Sequence, residues 1–379
     1  MSLRILHVYK TYFPESQGGL EETIRQICRS TTARGVENRV LTLYPGRGER
    51  IVEREEATVV RYRQHLEVAS CGMSASALAA FKRQASWADV VHYHFPWPFA
   101  DVMHFAAGIR APTVLTYHSD VVRQKTLMRV YSPLMHRFLR SVSSVVATSP
   151  NYFVSSDVLQ GISEKVEVIP IGLDESTYPQ LDPAVVDELE AEVGRDFFLF
   201  VGVLRYYKGL HILLDALAGT DLPVVVAGSG PVETELKAHV RRLGLRNVAF
   251  LGHVSDVRKV ALLHLSRAVV FPSYLRSEAF GVTLVEGAMF GKPLISTEIG
   301  TGTSYVNVHG ETGLVVPPGD SKDLRGAMAE LAADDQRVAE MGAASRHRYE
   351  DFFTGDVMGA RYLDLYERVL SGPSQTVRS

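Results

Sequence analysis

The stretch KVEVIPIGLDESTYP, Lys165–Pro179, interrupts an otherwise repetitive chain. Before it, short β-branched runs alternate with helix-length segments: LRILHVY (Leu3–Tyr9), VENRVLTLY (Val36–Tyr44), ADVVHYH (Ala88–His94), PTVLTYH (Pro112–His118) and SVVATSP (Ser144–Pro150). After it the alternation restarts with FFLFVGVL, PVVVAG, NVAFLG, RAVVFPS, KPLIST and GLVVPP. Continuous apolar strands joined by helices are the pattern of a parallel, doubly wound sheet covered on both faces. A connector bearing Pro and Gly between two such series predicts two α/β domains with a boundary near residues 170–195. Ligands of open α/β sheets collect at the carboxyl ends of the strands, so two such sheets facing each other would form a central cleft.

Composition agrees with that size. The 379 residues exceed one ordinary core, and 46% hydrophobic with 22% charged residues excludes wholesale disorder. Two cysteines, Cys28 and Cys71, supply neither a disulfide framework nor a zinc pattern, which fits a reducing cytoplasm. The opening apolar run is too short for a signal peptide, and no stretch approaches the ~18 apolar residues of a spanning helix. A soluble or peripheral protein is expected. The net charge of −3 argues against a nucleic-acid partner. Through Gly172, however, 20 basic residues outnumber 15 acidic ones. That excess suits an anionic ligand or an anionic membrane, and equally a set of solvated faces.

Several loops at strand ends carry candidate chemistry. In YKTYFPESQGGLEE, Gly18 and Gly19 precede a helix and would let backbone amides approach a phosphate; a simple turn is the alternative. The spacing matches neither a dinucleotide fingerprint nor a P-loop. His92 and His94 share one strand face, but no cysteine or carboxylate set completes a metal site and no Asp-x-Asp motif occurs, so no metal is expected. His118 stands just beyond a strand, beside Asp120, where an imidazole could stabilise charge or donate hydrogen bonds. The segment with Arg123, Lys125, Arg129, Arg137 and Arg140 reads as a partly buried helix with a solvated basic face, in preference to one meeting anionic lipid. In FVGVLRYYKGL, Arg205 and Lys208 occupy a strand-to-helix turn and suit a diphosphate.

The stretch SEAFGVTLVEGAMFGKPL, Ser277–Leu294, places Glu278 and Glu286 eight residues apart. On one helix they would stand ~12 Å apart along the axis. Glycosidase carboxylates stand ~5–9.5 Å apart, so a hydrolytic pair is disfavoured. A better arrangement puts Glu278 in a loop and begins a helix near Gly281. Amides of Gly281, Val282, Thr283 and Leu284 would then bind an anion, with the two glutamates gripping hydroxyls on either side. Polyol, phosphate and polyol together describe a nucleotide sugar.

With these residues in place the whole chain resembles the family-four retaining glycosyltransferases of two-Rossmann B-type (GT-B) fold. The resemblance rests on Gly18-Gly19, VVHYHFP, YHSD, the Arg205/Lys208 turn, VVVAGSGP, NVAFLGHV, Glu278-x7-Glu286 and NVHGETGLVVPPGD. HSDVVRQK and VGVLRYYKGLH further resemble bacterial mannosyl- and D-rhamnosyltransferases of lipopolysaccharide O-chains, which use GDP-sugars. The resemblance implies an acceptor-side domain over 1–175 and a donor domain over 176–354, with a final helix near 355–371 returning to the first. It implies that Arg205 and Lys208 hold the donor diphosphate. Glu278 with the amides of Ala279, Phe280 and Gly281 would hold the donor sugar, Glu286 the ribose, and Gly252, His253 and Val254 would flank the base. His118 would lie near the reacting sugar. Where the family usually carries Arg after the strand-end glycine, Val203 follows Gly202, and Arg205 is the expected substitute. Lys10, Tyr12 and His94 are the candidates for acceptor contact. The implied reaction is metal-independent hexosyl transfer from GDP-mannose or GDP-rhamnose to a glycan or lipid-linked acceptor, at the inner face of the cytoplasmic membrane. The alternatives are a UDP-sugar transferase, a sugar-nucleotide epimerase on the same fold, and a non-catalytic nucleotide-sugar binder.

Overall fold

The computed structural model describes residues 2–46, 50–120 and 125–372. The chain divides into two compact units, Met1–Gly172 with Gly355–Ser379, and Leu173–Thr354.

The first unit is built on β1 (Arg4–Val8), β2 (Glu37–Tyr44), β3 (Ile51–Glu53) and β4 (Thr58–Arg63). A two-stranded ribbon, β5 (Leu66–Val68) and β6 (Cys71–Met73), lies apart from the main sheet. β7 (Val90–Phe95), β8 (Thr113–Tyr117), β9 (Ser144–Ala147) and β10 (Val166–Val168) complete that sheet in the order β10-β9-β8-β7-β1-β2-β4-β3. Its pairs are parallel except β3 on β4. The apolar runs do not reveal β4, because two arginines break its sequence; Arg61 is nevertheless buried and ion-paired with Glu15. Strand order reverses between β1 and β7, where His7 and His92 are register partners. The helix Gly355–Ser371 covers this sheet. Met358, Tyr362, Leu365 and Tyr366 pack with Ile5, Ile27, Val90 and Val114. A side chain at Gly359 would fall 2.5 Å from Ser30 Cβ, so glycine sets how closely the helix approaches Gly19–Thr32.

The second unit contains β11 (Phe198–Val201), β12 (Val224–Ala227), β13 (Val248–Gly252), β14 (Ala268–Phe271), β15 (Leu294–Thr297) and β16 (Gly313–Val316). All its pairs are parallel, in the order β13-β12-β11-β14-β15-β16. Counted from its first strand this is the doubly wound 3-2-1-4-5-6 order, whose ligand crevice opens where the order reverses. Here that point is the carboxyl ends of β11 and β14. Among the described residues no helix is long and apolar enough to cross a membrane.

Candidate active site

The loops after β11 and β14 meet at the switch point. Gly209, at φ +71°, closes the first; a Cβ there would lie 1.9 Å from the Pro272 carbonyl oxygen of the second. Such contact demands glycine on both steric and dihedral grounds. The juxtaposition brings Lys208, from the turn Tyr206–Lys208, into an ion pair with Glu278. Lys208 Nζ also lies 4.6 Å from the Phe271 ring centroid.

Just past Glu278 the backbone turns into the helix Val282–Met289 through Gly281, at φ +92°. Thr283 Oγ1 donates to the Val201 carbonyl at 3.3 Å, tying this helix start to the end of β11. The Leu284 amide donates to Gly281 O at 2.8 Å and is spent. This corrects the expected anion set of Gly281 to Leu284. The amides of Ala279, Phe280, Gly281, Val282 and Thr283 are the ones without a partner among the described residues. Unpaired amides at a helix start attract an anion, and the helix dipole adds to the attraction. Phe280 is buried, and Gly302 leaves room for it: a Cβ at Gly302 would lie 2.4 Å from the Phe280 ring.

Glu286 is buried one turn into the helix. Its Oε1 accepts from Tyr178 Oη and from Lys259 Nζ, both at 2.9 Å. Burial opposes the charge on Lys259, but Glu286 and Asp256 more than offset it and hold the ammonium above its ordinary value. Oε2 keeps no protein partner among the described residues. Lys259 and Tyr178 carry no local sequence signal, since neither stands in a glycine loop or at a strand end. The Gly252–Val254 loop ends β13 with Gly252 at φ +66° and an exposed His253. Arg205 is exposed and does not join Lys208 and Glu278. With Tyr206, His211, His239, Arg242 and Tyr274 it lines a cavity of about 430 Å³.

In the first unit the expected contacts change more. Tyr12 is fully buried and donates to Glu56 at 3.1 Å, so its hydroxyl serves the core and not an acceptor. His94 is also buried, lying between His7 and His118, which removes it from the acceptor candidates. Lys10 is half-buried and donates to the Ser70 carbonyl at 2.9 Å. At Gly18 a Cβ would sit 2.7 Å from Glu21 Oε2, so a carboxylate lies against the turn expected to receive a phosphate, and like charge opposes that use. Asp120 does not pair with His118; it accepts from Tyr117 Oη at 2.9 Å and Ser156 Oγ at 3.1 Å. His118 instead bonds His94 at 3.0 Å. Of the basic segment, Arg123 lies outside the described residues and the Lys125 side chain is not described. Arg129, Arg137 and Arg140 are exposed on the helix Lys125–Ser141, whose other side buries Met135, Phe138 and Leu139.

His7, His92 and His94 place nitrogens within 4.8 Å of one another. Only the pair on β7 is close in sequence; His7 arrives from β1 by strand pairing. Their nitrogens are already engaged. His7 bonds Asn38 and His94, His94 bonds His7 and His118, and His92 bonds Tyr366 and Thr116 at 2.7 Å each. A cation would have to displace these bonds.

Two Rossmann-like units, each on a largely or wholly parallel sheet, make up the GT-B class of fold. A family model described as Glycosyltransferase Family 4 matches residues 17–177, and one described as Glycosyl transferases group 1 matches 184–348. The chain is 54% identical to the D-rhamnosyltransferase WbpZ of Pseudomonas aeruginosa, covering 93% of this chain and 92% of that one. It is 47% identical to the O-antigen chain mannosyltransferase C of Escherichia coli, covering 98% of this chain and 100% of that one. A sucrose-phosphate synthase structure from Thermosynechococcus elongatus shares the fold, with a TM-score of 0.81 at 19% identity, over 97% of this chain and 99% of that one. The chain belongs to the group 1/family 4 glycosyltransferases.

Proposed function

We propose that the chain is a retaining, metal-independent hexosyltransferase that moves mannose or D-rhamnose from a GDP-sugar onto a glycan or lipid-linked acceptor in O-antigen synthesis. The observation that carries the donor site is the Lys208–Glu278 pair beside the free amides of residues 279–283. Cationic and amide donors at one point stabilise a departing diphosphate, and a carboxylate at the same point accepts hydrogen bonds from sugar hydroxyls. Glu286 Oε2 takes the ribose diol, with Lys259 fixing its carboxylate. His118 meets a hydroxyl of the transferred sugar. The acceptor oxygen attacks the anomeric carbon on the face the diphosphate leaves, the bond to the diphosphate breaks, and a phosphate oxygen takes the acceptor's proton. The identity to a D-rhamnosyltransferase and an O-antigen mannosyltransferase supports the choice of sugar. Work at the inner face of the cytoplasmic membrane, with the exposed arginines of Lys125–Ser141 near anionic lipid, belongs to the same proposal.

Thermal-shift titration with GDP, UDP and ADP tests the base. GDP should give the largest rise, and a larger rise with UDP would overturn the donor choice. Transfer assays on Glu278→Gln and Lys208→Ala test the site, and full activity in both would remove it.

A further inference from the structure

Asn38, His7, His94 and His118 form a hydrogen-bonded line inside the first unit, and the line has a direction. Asn38 sets it. Its Nδ2 donates to the Cys28 carbonyl at 3.0 Å and to the Thr31 and Thr32 hydroxyls at 2.9 Å. A carbonyl only accepts, so the amide nitrogen faces the helix Gly19–Thr32 and Oδ1 faces His7 Nε2 at 3.1 Å. Oδ1 also only accepts, which puts the proton of His7 on Nε2.

A neutral imidazole has one N–H, so Nδ1 of His7 is bare. His94 Nε2, 3.1 Å away, must therefore donate to it. That leaves His94 Nδ1 bare, and His118 Nε2, 3.0 Å away, donates in turn. The chain ends at Nδ1 of His118, a bare nitrogen with no partner among the described residues. This polarity holds for neutral rings, and burial keeps them neutral. It pushes His7 down to about 4 and His118 to about 3, and it holds His94 well below the ordinary imidazole value.

We infer that Asn38, His7 and His94 are positioning residues that hold His118 as its Nε2–H tautomer, so that its Nδ1 accepts a hydrogen bond from a hydroxyl of the transferred sugar. His118 is then neither a donor to that sugar nor a cationic stabiliser. The line terminates in a carboxamide that takes up no proton at neutral pH, so it sets orientation and does not conduct protons. A histidine's second nitrogen commonly fixes the tautomer of the first in this way. The inference rests on the proposal that His118 meets the sugar.

The test uses the full chain labelled with ¹⁵N-histidine. Two-bond ¹⁵N–¹H correlations at pH 7.5 report each tautomer, and His118 is assigned by the signal lost in His118→Gln. The Nε2–H form is expected for His118. In His7→Leu the acceptor for His94 is gone, so His118 should show mixed tautomers. Its kcat should fall about tenfold or more, while GDP affinity changes less than about twofold. His7→Asn returns a carboxamide oxygen near the lost Nδ1 and should restore both the tautomer and most of kcat. A wild-type His118 protonated on Nδ1 would overturn the inference, as would a His7→Leu protein with unchanged tautomer and kcat. If His7→Leu does not fold, the wild-type spectrum alone decides. Full transfer activity in His118→Gln would refute the sugar contact while leaving the tautomer measurement intact, which separates the two failures.

Discussion

The Lys208 ammonium is ion-paired with the Glu278 carboxylate across 70 residues of sequence, each side chain only 13% exposed. Neither loop is complete without the other, because Gly209 and Pro272 touch at the same point. Removing one member leaves the other charge buried and, under the proposed function, the diphosphate short of a donor. Lys208→Ala should lower kcat/KM by about 10²-fold or more, the usual effect of deleting one donor to a developing anion. Steady-state transfer kinetics measure it, and a loss below about threefold would contradict the role.

Lys259 is predicted to act through Glu286. Lys259→Met keeps the stem but leaves the buried Glu286 with Tyr178 alone. Breaking a buried, hydrogen-bonded charge pair costs about 3 kcal/mol or more. The variant should melt earlier and bind GDP more weakly, by calorimetry. Unchanged melting together with unchanged GDP affinity would place Lys259 outside the site.

Gly209→Ala should separate the two loops. The new Cβ would strike the Pro272 carbonyl oxygen at 1.9 Å, in a backbone region that side chains avoid. A stability loss of about 2 kcal/mol or more is expected, with weaker nucleotide binding. Urea unfolding and GDP titration check both.

The buried histidines predict acid sensitivity. Burial lowers His7 to about 4 in the native state against about 6.5 in the unfolded chain, and it also holds His92 and His94 well below the ordinary imidazole value. Below pH 6.5 the unfolded chain binds protons that the native chain refuses, so stability falls as pH drops from 6.5 toward 4. His7 alone accounts for roughly 3 kcal/mol across that window. Melting temperatures measured from pH 7.5 to 4.5 should decline below pH 6.5, and a flat profile would contradict the assignment.

Tyr12→Phe separates core from acceptor site. Losing the bond to Glu56 should cost about 1 kcal/mol of stability and leave the acceptor KM unchanged. A severalfold rise in that KM would return Tyr12 to the site.

Much of this was legible in the chain itself. The stretch Lys165–Pro179 ends the first strand series, although its opening residues form β10 of that sheet, and the glycine before Val282 marks the helix start. These are local signals: side-chain periodicity and the φ freedom of glycine act within a few residues. That Glu278 lies in the loop and Glu286 on the helix was legible for the same reason. Strand β4 was not, because its arginines hide a buried strand whose charge is neutralised by a residue 46 positions away.

The sequence alone thus determined the doubly wound fold, its division into two series, and the helix start between Glu278 and Glu286. Only the tertiary structure decided which side chains meet. Strand order brought Lys208 to Glu278 and Lys259 to Glu286, moved Tyr12 and His94 into the core, and lined Asn38, His7, His94 and His118 into one chain. These are contacts across tens of residues, set by sheet register and burial, and neither is written in the spacing of neighbours along the chain.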